Sequence, residues 1–318
     1  MKSQSAKSIL TFFLATRPKF LFASAAPVLV GSSLAWAVSA AFNPCLFVLA
    51  LLATITIHAG ANVANDYFDH ISGADLLNKN PTPFSGGSRF IQKGILSPRA
   101  TLLIAVTYLA IGASLGIAIV ALTKSLFVLI LGLLGVLGGF FYTAPPLRLG
   151  YRGVGEFVIA FLFGVLPVYG SYYIQTQSLD TAPLIPACLV SILIFLVILV
   201  NEIPDVQPDA AANKKTLVVR FGIPAAIKIY YICLVSCFFL AAYMLAFRHN
   251  TFAALFFLPT LPIGVLAIKP LNKFCRVGSL PHHFEFTDTY RASQLTILLH
   301  ALGSLALTAG FLVSALSR

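Results

Sequence analysis

Asn62-Val-Ala-Asn-Asp66-Tyr-Phe-Asp69 and, about 140 residues later, Asn201-Glu-Ile-Pro-Asp205-Val-Gln-Pro-Asp209 decide how this 318-residue chain is read. Each contains N-x-x-x-D with a further Asp three or four residues on, and each closes a long apolar run. The chain has ten acidic residues, is 58% hydrophobic and is only 10% charged, so half of its acids stand in two short places. Carboxylates beside a bilayer need compensating charge. A divalent cation shared between the segments, with an anionic ligand, supplies it.

Outward from these segments the chain is apolar. Its mean hydropathy is +0.92, and it contains 27 Phe, which excludes an ordinary soluble domain. Runs of about 20 apolar residues, enough to cross the hydrocarbon core as helices, recur nine times, at roughly 20–40, 46–66, 101–121, 125–144, 154–175, 184–203, 224–247, 252–269 and 293–315. Barrel strands would give shorter, alternating segments. The expected fold is all-α: a polytopic membrane protein of about nine transmembrane helices around a central cavity open to the cytoplasm. One domain spans residues 1–318. The acidic segments end the second and sixth spans, which suggests four-helix pseudo-repeats at about 20–144 and 154–269 plus a final helix at 293–315. The five cysteines form no C-x-x-C and read as small packing residues. Ala23-Ser-Ala-Ala26 loosely resembles a cleavage site. Arg17, Pro18 and Lys19 interrupt the apolar stretch before it, so an interfacial segment leading into an uncleaved span is expected.

The basic residues orient the spans. With the N-terminus and the loops after spans 2, 4, 6 and 8 on one side, that side holds 18 of the 21 Lys and Arg. The other holds Lys124, Arg248 and Arg318. This bias places the N-terminus and the long loops (70–100, 204–223 and 270–292) in the cytoplasm, and a prokaryotic inner membrane is the expected location. Nine of the ten acids, all but Asp180, fall on that side too. Orientation does not require acids there, whereas a polar cavity does. No basic, aromatic-interleaved soluble module exists to carry nucleic-acid binding, so the net charge of +11 reports topology and anion attraction. No obligate protein partner is evident.

At 100° per residue, Asn62, Asp66 and Asp69 span an arc of about 60° on an unbroken helix, with His58 on the same face. Asn201, Asp205 and Asp209 span about 80°, if Pro204 leaves that helix intact. Facing one another, these surfaces put at least four carboxylates in one cavity. Two like charges about 4 Å apart repel by roughly 4 kcal/mol at an effective dielectric near 20, so the group requires counter-charge. Hard oxygen donors select Mg2+ or Ca2+. Mg2+ uses one or two carboxylates and leaves positions for phosphate oxygens. Arg89, Lys93, Lys214, Lys215 and Arg220 are near enough in sequence to hold a diphosphate. Helix capping and a solvated loop would explain one such segment but not two on one side. An amphiphile with a diphosphate head and a hydrocarbon tail fits a charged cavity mouth with Phe- and Leu-rich walls. Metal binding makes the diphosphate a better leaving group. An allylic carbocation would then be shielded from water by aromatic rings.

These residues resemble the UbiA superfamily of intramembrane prenyltransferases over nearly the whole chain. The most specific parts are Asn62 to Asp69 and Asn201 to Gly222. Thr-Arg-Pro at Thr16 to Pro18 and Y-T-A-P-P-L-R at Tyr142 to Arg148 are also similar. The run N-D-Y-F-D-H-I-S-G-A-D from Asn65 to Asp75, Gln92-Lys-Gly-Ile-Leu-Ser-Pro98 and T-L-V-V-R-F-G from Thr216 look most like the menaquinone-type 1,4-dihydroxy-2-naphthoate polyprenyltransferases.

The resemblance implies Asp66, Asp69, Asp205 and Asp209 as metal-binding and catalytic groups, with Mg2+ as cofactor. Asn62, Asn65 and Asn201 would join them, and Asp75 would assist. Arg17, Lys93, Arg148 and Lys215 would contact diphosphate or acceptor, and Tyr142 would lie near the reacting carbon. Arg17 and Arg148 also read as interfacial anchors, and Tyr142 as part of an aromatic belt. The implied reaction is Mg2+-dependent transfer of a polyprenyl group from its diphosphate to an aromatic acceptor of quinone biosynthesis, with dihydroxynaphthoate as first choice. The alternatives are 4-hydroxybenzoate or another aromatic acceptor. A cation-coupled transporter is a reading of another class, although here the acids sit at span ends beside basic loops. Phosphatidyl transfer lacks its D-G-x-x-A-R pattern.

Overall fold

The computed structural model describes residues 10–79, 81–247, 250–275 and 286–318, and among these the secondary structure is helical with no strand. Arg248 and the middle of the expected 270–292 loop lie outside the described residues. A short 3-10 turn (Pro18–Phe20) leads into α1 (Phe22–Ser39), followed by α2 (Pro44–Ser72), α3 (Pro98–Thr123) and α4 (Leu126–Phe141). Then come α5 (Gly155–Thr176), α6 (Leu184–Glu202), α7 (Leu217–Ala246), α8 (Thr251–Asn272) and α9 (Phe286–Leu316). Eight of the helices are long and apolar enough to cross a bilayer. The expected fourth span is α4, which has only 16 residues and so measures about 24 Å. Ser125 fixes its start by accepting from the Val128 N–H (3.4 Å), and its α-helix gives way to a turn at Tyr142.

Local chemistry sets the other boundaries. Asn43 caps α2 by accepting from the N–H groups of Cys45 and Leu46, and Pro44 occupies the first helical position, where a missing N–H costs nothing. The helix then runs unbroken through His58, Asn62, Asp66 and Asp69 to Gly73, whose φ of 81° stops it in the left-handed conformation. The second acidic segment behaves differently. α6 ends at Glu202, Pro204 lies in the following turn, and a short helix (Val206–Ala211) restarts after Asp205. The 80° arc on one helix is therefore replaced by a helix end, a turn and a new helix. The cause is proline, which has no N–H to continue the ladder. α5 is also irregular: Phe161–Val165 form a π-helical turn, and Pro167 removes the donor that the Phe163 carbonyl would otherwise receive. The turn displays Phe163 toward the interior.

α1 stands at the centre, packed on both α9 and α5, while α2 lies along α3 and α9 along α8. Leu34, Tyr172, Leu189, Leu193, Phe257 and Phe311 form the largest core cluster. Outside, Leu103, Ile117, Ile232 and Phe239 are each more than 60% exposed, a surface that water would penalise and lipid accepts. The chain is thus an integral membrane protein. With no hydrophobic drive between helices in lipid, close packing through small residues holds such a bundle. At the α8–α9 crossing, a Cβ on Gly310 would stand 2.3 Å from Ala253 Cα and 2.4 Å from its backbone nitrogen. Backbone cannot give way as a side-chain tip can. Gly310→Val is expected to destabilise the bundle by about 1–3 kcal/mol, read as a lower melting midpoint in detergent. An unchanged midpoint would show that this crossing does not constrain the fold.

Polar contacts gather at the two ends of the bundle. At one end Gln175 pairs with Asn43, Ser125 with Tyr173, and Arg318 with the Val38 carbonyl. At the other, the connections after α2, α4 and α6 interlock. Asn78 donates to Asp205 (2.9 Å), Ser72 Oγ lies 2.7 Å from the Tyr151 hydroxyl, and the Lys215 N–H donates to the Tyr151 carbonyl (3.2 Å). Both acidic segments lie at this second end.

Candidate active site

The two segments meet across a cavity of about 200 Å3 bounded by α1, α2, α4, α5 and α6. From α2 come His58, Asn62, Asn65 and Asp69. From the end of α6 and the helix after it come Asn201, Glu202, Asp205 and Asp209. Arg17, Asp75, Asn78, Ser85, Tyr142, Thr143 and Lys214 add to the polar lining, and Phe20, Phe84, Ile159, Phe163, Ile194 and Ile198 supply apolar walls. A second chamber of about 120 Å3 shares His58, Ala61, Gly139 and Phe163 with the first and is walled mainly by apolar residues of α1 to α5. Polar groups thus cluster at one end, with apolar space behind them.

Each carboxylate has a defined set of partners. Asp69 accepts from the Tyr151 hydroxyl (2.7 Å) and faces Lys214 Nζ at 3.9 Å, while Asp209 faces the same ammonium at 3.5 Å. Asp205 accepts from Asn78 and from the Gly86 N–H (3.2 Å). Asp66 is ion-paired with Arg17 and accepts from the Ser88 N–H at 3.2 and 3.3 Å. Only 3% of its surface is exposed, and it sits behind Arg17 and the 86–88 turn without lining the cavity. Asp75 accepts from Gln92 (3.1 Å), and its backbone carbonyl accepts from Arg89.

The electrostatics reflect crowding. Burial, reinforced by Asp69 and Asp66, pushes the Asp75 carboxyl up to about 7 against the pull of Arg17 and Lys214. Burial does the same at Asp209, also to about 7, with Lys214 opposing and Asp205 and Asp69 adding to the rise. Asp205 is raised by burial and held back by Lys214, Ser85, Gly86 and Asn78. Burial works against the Lys214 ammonium, yet Asp209 and Asp69 outweigh it and keep its pKa well above the ordinary lysine value. Lys214 is therefore a fixed positive charge between the two segments.

Of the site residues expected from sequence, Arg17, Asn62, Asn65, Asp69, Tyr142, Asn201, Asp205 and Asp209 line the cavity, with Asp66 just behind. Three basic candidates lie elsewhere. Lys93 and Lys215 are exposed, and Arg148 lies over the Tyr151 ring at 5.6 Å. Lys214 takes the place expected for its neighbour, because the backbone after the second segment turns one lysine inward and the next outward. Asn65 is oriented by Thr143, which donates to its Oδ1 (2.8 Å), and Asn62 donates to the Thr16 carbonyl (3.0 Å). His58 Nδ1 lies 3.1 Å from Ser24 Oγ. Sequence reading missed Tyr151 and Glu156. Glu156 is fully buried and accepts from the Leu217 N–H (2.5 Å), tying the start of α7 to α5.

The donor set fits a hard divalent cation. All the carboxylate and amide donors are oxygen, and three buried oxygens of the lining, Asp209 Oδ2, Asn201 Oδ1 and Glu202 Oε2, have no hydrogen-bond partner. Among the described residues no three acidic, histidine or cysteine side chains form a ready cage for one ion. Mg2+ takes one or two carboxylates and completes its shell with water and substrate phosphate.

The fold is thus a bundle of apolar helices whose two acidic segments meet in one cavity at one end. Residues 24–273 match the UbiA prenyltransferase family, and the chain belongs to that family. It is 32% identical to the 1,4-dihydroxy-2-naphthoate octaprenyltransferase of Escherichia coli over 90% of this chain and 92% of that protein. It is 35% identical to the Haemophilus influenzae protein of the same name over 65% of this chain and 67% of that one. Among solved structures, a UbiA homologue from Archaeoglobus fulgidus bound to DMAPP and Mg2+ superposes with a TM-score of 0.61 at 18% identity, over 93% of this chain and 98% of that one. The protein is accordingly a prenyltransferase, and the transporter reading falls away.

Proposed function

We propose that the protein transfers a polyprenyl group from its allylic diphosphate to 1,4-dihydroxy-2-naphthoate in menaquinone synthesis, with Mg2+ as cofactor. The observation that carries the reaction is the single cavity in which Asp69, Asp205, Asp209, Arg17 and Lys214 surround a polar mouth backed by an apolar chamber. The dihydroxynaphthoate assignment rests on the two bacterial relatives. The segments' ends and the basic loops face the cytoplasm of a bacterial inner membrane, supported by the 18-to-3 distribution of Lys and Arg.

Asp66, Asp69, Asp205 and Asp209, with Asn62 and Asn201, would hold the metal. When bound, it neutralises the charge that develops on the departing diphosphate. Arg17 and Lys214 add fixed positive charge on either side. As the allylic C–O bond breaks, its electron pair leaves with the diphosphate. Tyr142 and Phe163 present aromatic faces to the electron-poor carbon, and the apolar chamber keeps water from it. The hydroxylated ring of the acceptor then forms the new C–C bond; in the dihydroxynaphthoate case it does so at the carbon bearing the carboxylate, which leaves as carbon dioxide and returns its bonding pair to the ring.

The test is a panel of acceptors with purified protein and a labelled polyprenyl diphosphate, read by mass spectrometry. Product is expected with dihydroxynaphthoate, less or none with 4-hydroxybenzoate, and none after chelation of divalent cations until Mg2+ is restored. Product only with 4-hydroxybenzoate would overturn the acceptor, and full activity in chelator would overturn the metal.

A further inference from the structure

The turn Ser85-Gly86-Gly87-Ser88, between α2 and α3, touches both acidic segments through its backbone. The Gly86 N–H donates to Asp205 and the Ser88 N–H to Asp66, so one short piece of chain binds a carboxylate from each. Gly87 lies where a Cβ would stand 3.0 Å from Asp66 Oδ1 and 3.1 Å from both Arg17 Nη2 and Asp75 Oδ2. Gly86 and Gly87 have φ of 71° and 75°, a conformation that side chains resist, and Ser85, Gly86 and Gly87 line the cavity.

Asp66 and Asp205, which would offer oxygens to the metal, accept from this turn when no substrate is bound. Once a carboxylate turns to a cation, a buried N–H left without an acceptor is costly. The incoming group with acceptor oxygens to spare is the diphosphate; Gly86 and Gly87 stand in the cavity wall with Ser88 next in the chain, and the turn's donors come without titratable charge. We propose that Gly86-Gly87-Ser88 is a diphosphate-holding turn, whose Gly86 and Ser88 N–H groups pass from Asp205 and Asp66 to phosphate oxygens when substrate binds. This rests on the metal–diphosphate reading above and adds to it a set of backbone donors.

Ser88→Pro tests the inference by the sign of its effect, because it deletes one N–H beside a permissive glycine. Binding of inorganic diphosphate in the presence of Mg2+, measured by calorimetry on the purified protein, is expected to weaken about tenfold or more, the scale of one charge-assisted hydrogen bond. KM for the aromatic acceptor should stay within about twofold. If the N–H only restrains Asp66, its removal frees a metal ligand, so equal or tighter binding would overturn the proposal while leaving the metal–diphosphate site intact. Absence of binding by the unaltered protein would overturn both.

Should Ser88→Pro fail to fold, Gly87→Ala displaces the same turn. Gly94→Ala is its strain control, since Gly94 has φ of 66° and open space around its Cβ position. Weaker diphosphate binding in Gly87→Ala alone supports the turn's role. Equal losses in both variants would assign the effect to backbone strain and overturn it.

Discussion

Asp66→Ala and Asp205→Ala are each expected to lower kcat/KM by about 1,000-fold or more while leaving the protein inserted and folded. The magnitude is that of several kcal/mol of transition-state charge stabilisation lost when a metal is no longer held at the leaving group. Folding should survive because neither carboxylate belongs to the apolar core. Asp66 closes an ion pair with Arg17 behind the cavity wall, and Asp205 closes a turn with Asn78 and Gly86. The loss of Asp66 also strands Arg17, so Asp66→Asn is the milder control for stability. Matched melting midpoints with lost turnover support the assignment. Near-normal turnover in both variants would contradict a metal held between the two segments.

Lys214→Met should cost about 100-fold, whereas Lys215→Met should change kcat/KM by no more than about threefold. The contrast follows from position. Lys214 Nζ lies 3.5 Å from Asp209 and 3.9 Å from Asp69, and Lys215 is exposed outside the cavity. Burial already raises the Asp209 carboxyl to about 7, and Lys214 is the main influence holding it down. Without the ammonium, Asp209 binds a proton more readily near neutral pH and competes less well for metal. The Lys214→Met defect should therefore be partly recovered at higher Mg2+ concentration or higher pH. Equal effects of the two substitutions, measured under the same conditions, would remove Lys214 from the site.

These contrasts show where sequence reasoning reached and where it stopped. α2 was legible because its acids keep helical spacing and nothing between Pro44 and Ser72 interrupts the ladder. The second segment was legible as chemistry but not as geometry. Pro204 divides it, and the relative direction of Asn201 and Asp209 depends on a turn whose angles are set by neighbours. Lys214 and Lys215 are identical in type and adjacent, so no pattern distinguishes them. Tyr151 carries no charge or motif that would mark it as the partner of Asp69, and the contact spans 82 residues. The 16 residues of α4 were read as part of a longer run, 125–144, because Tyr142, Thr143 and Ala144 continue it past the end of the helix.

Composition and local pattern were sufficient for a membrane-embedded helical bundle, for two acidic segments at its end, and for the proposal that a metal and a diphosphate lie between them. Those properties follow from transfer of apolar side chains out of water and from the scarcity of charge, both of which depend on residue type and spacing along the chain. Which charges face one another was settled by packing. Arg17 reaches Asp66 across 49 positions, and Gly86 reaches Asp205 across 119. Electrostatic and hydrogen-bond energies depend on separations of a few ångströms between groups far apart in sequence. The folded helices bring those groups together, and with them the inward lysine, the shielded Asp66 and the glycine turn between the two segments.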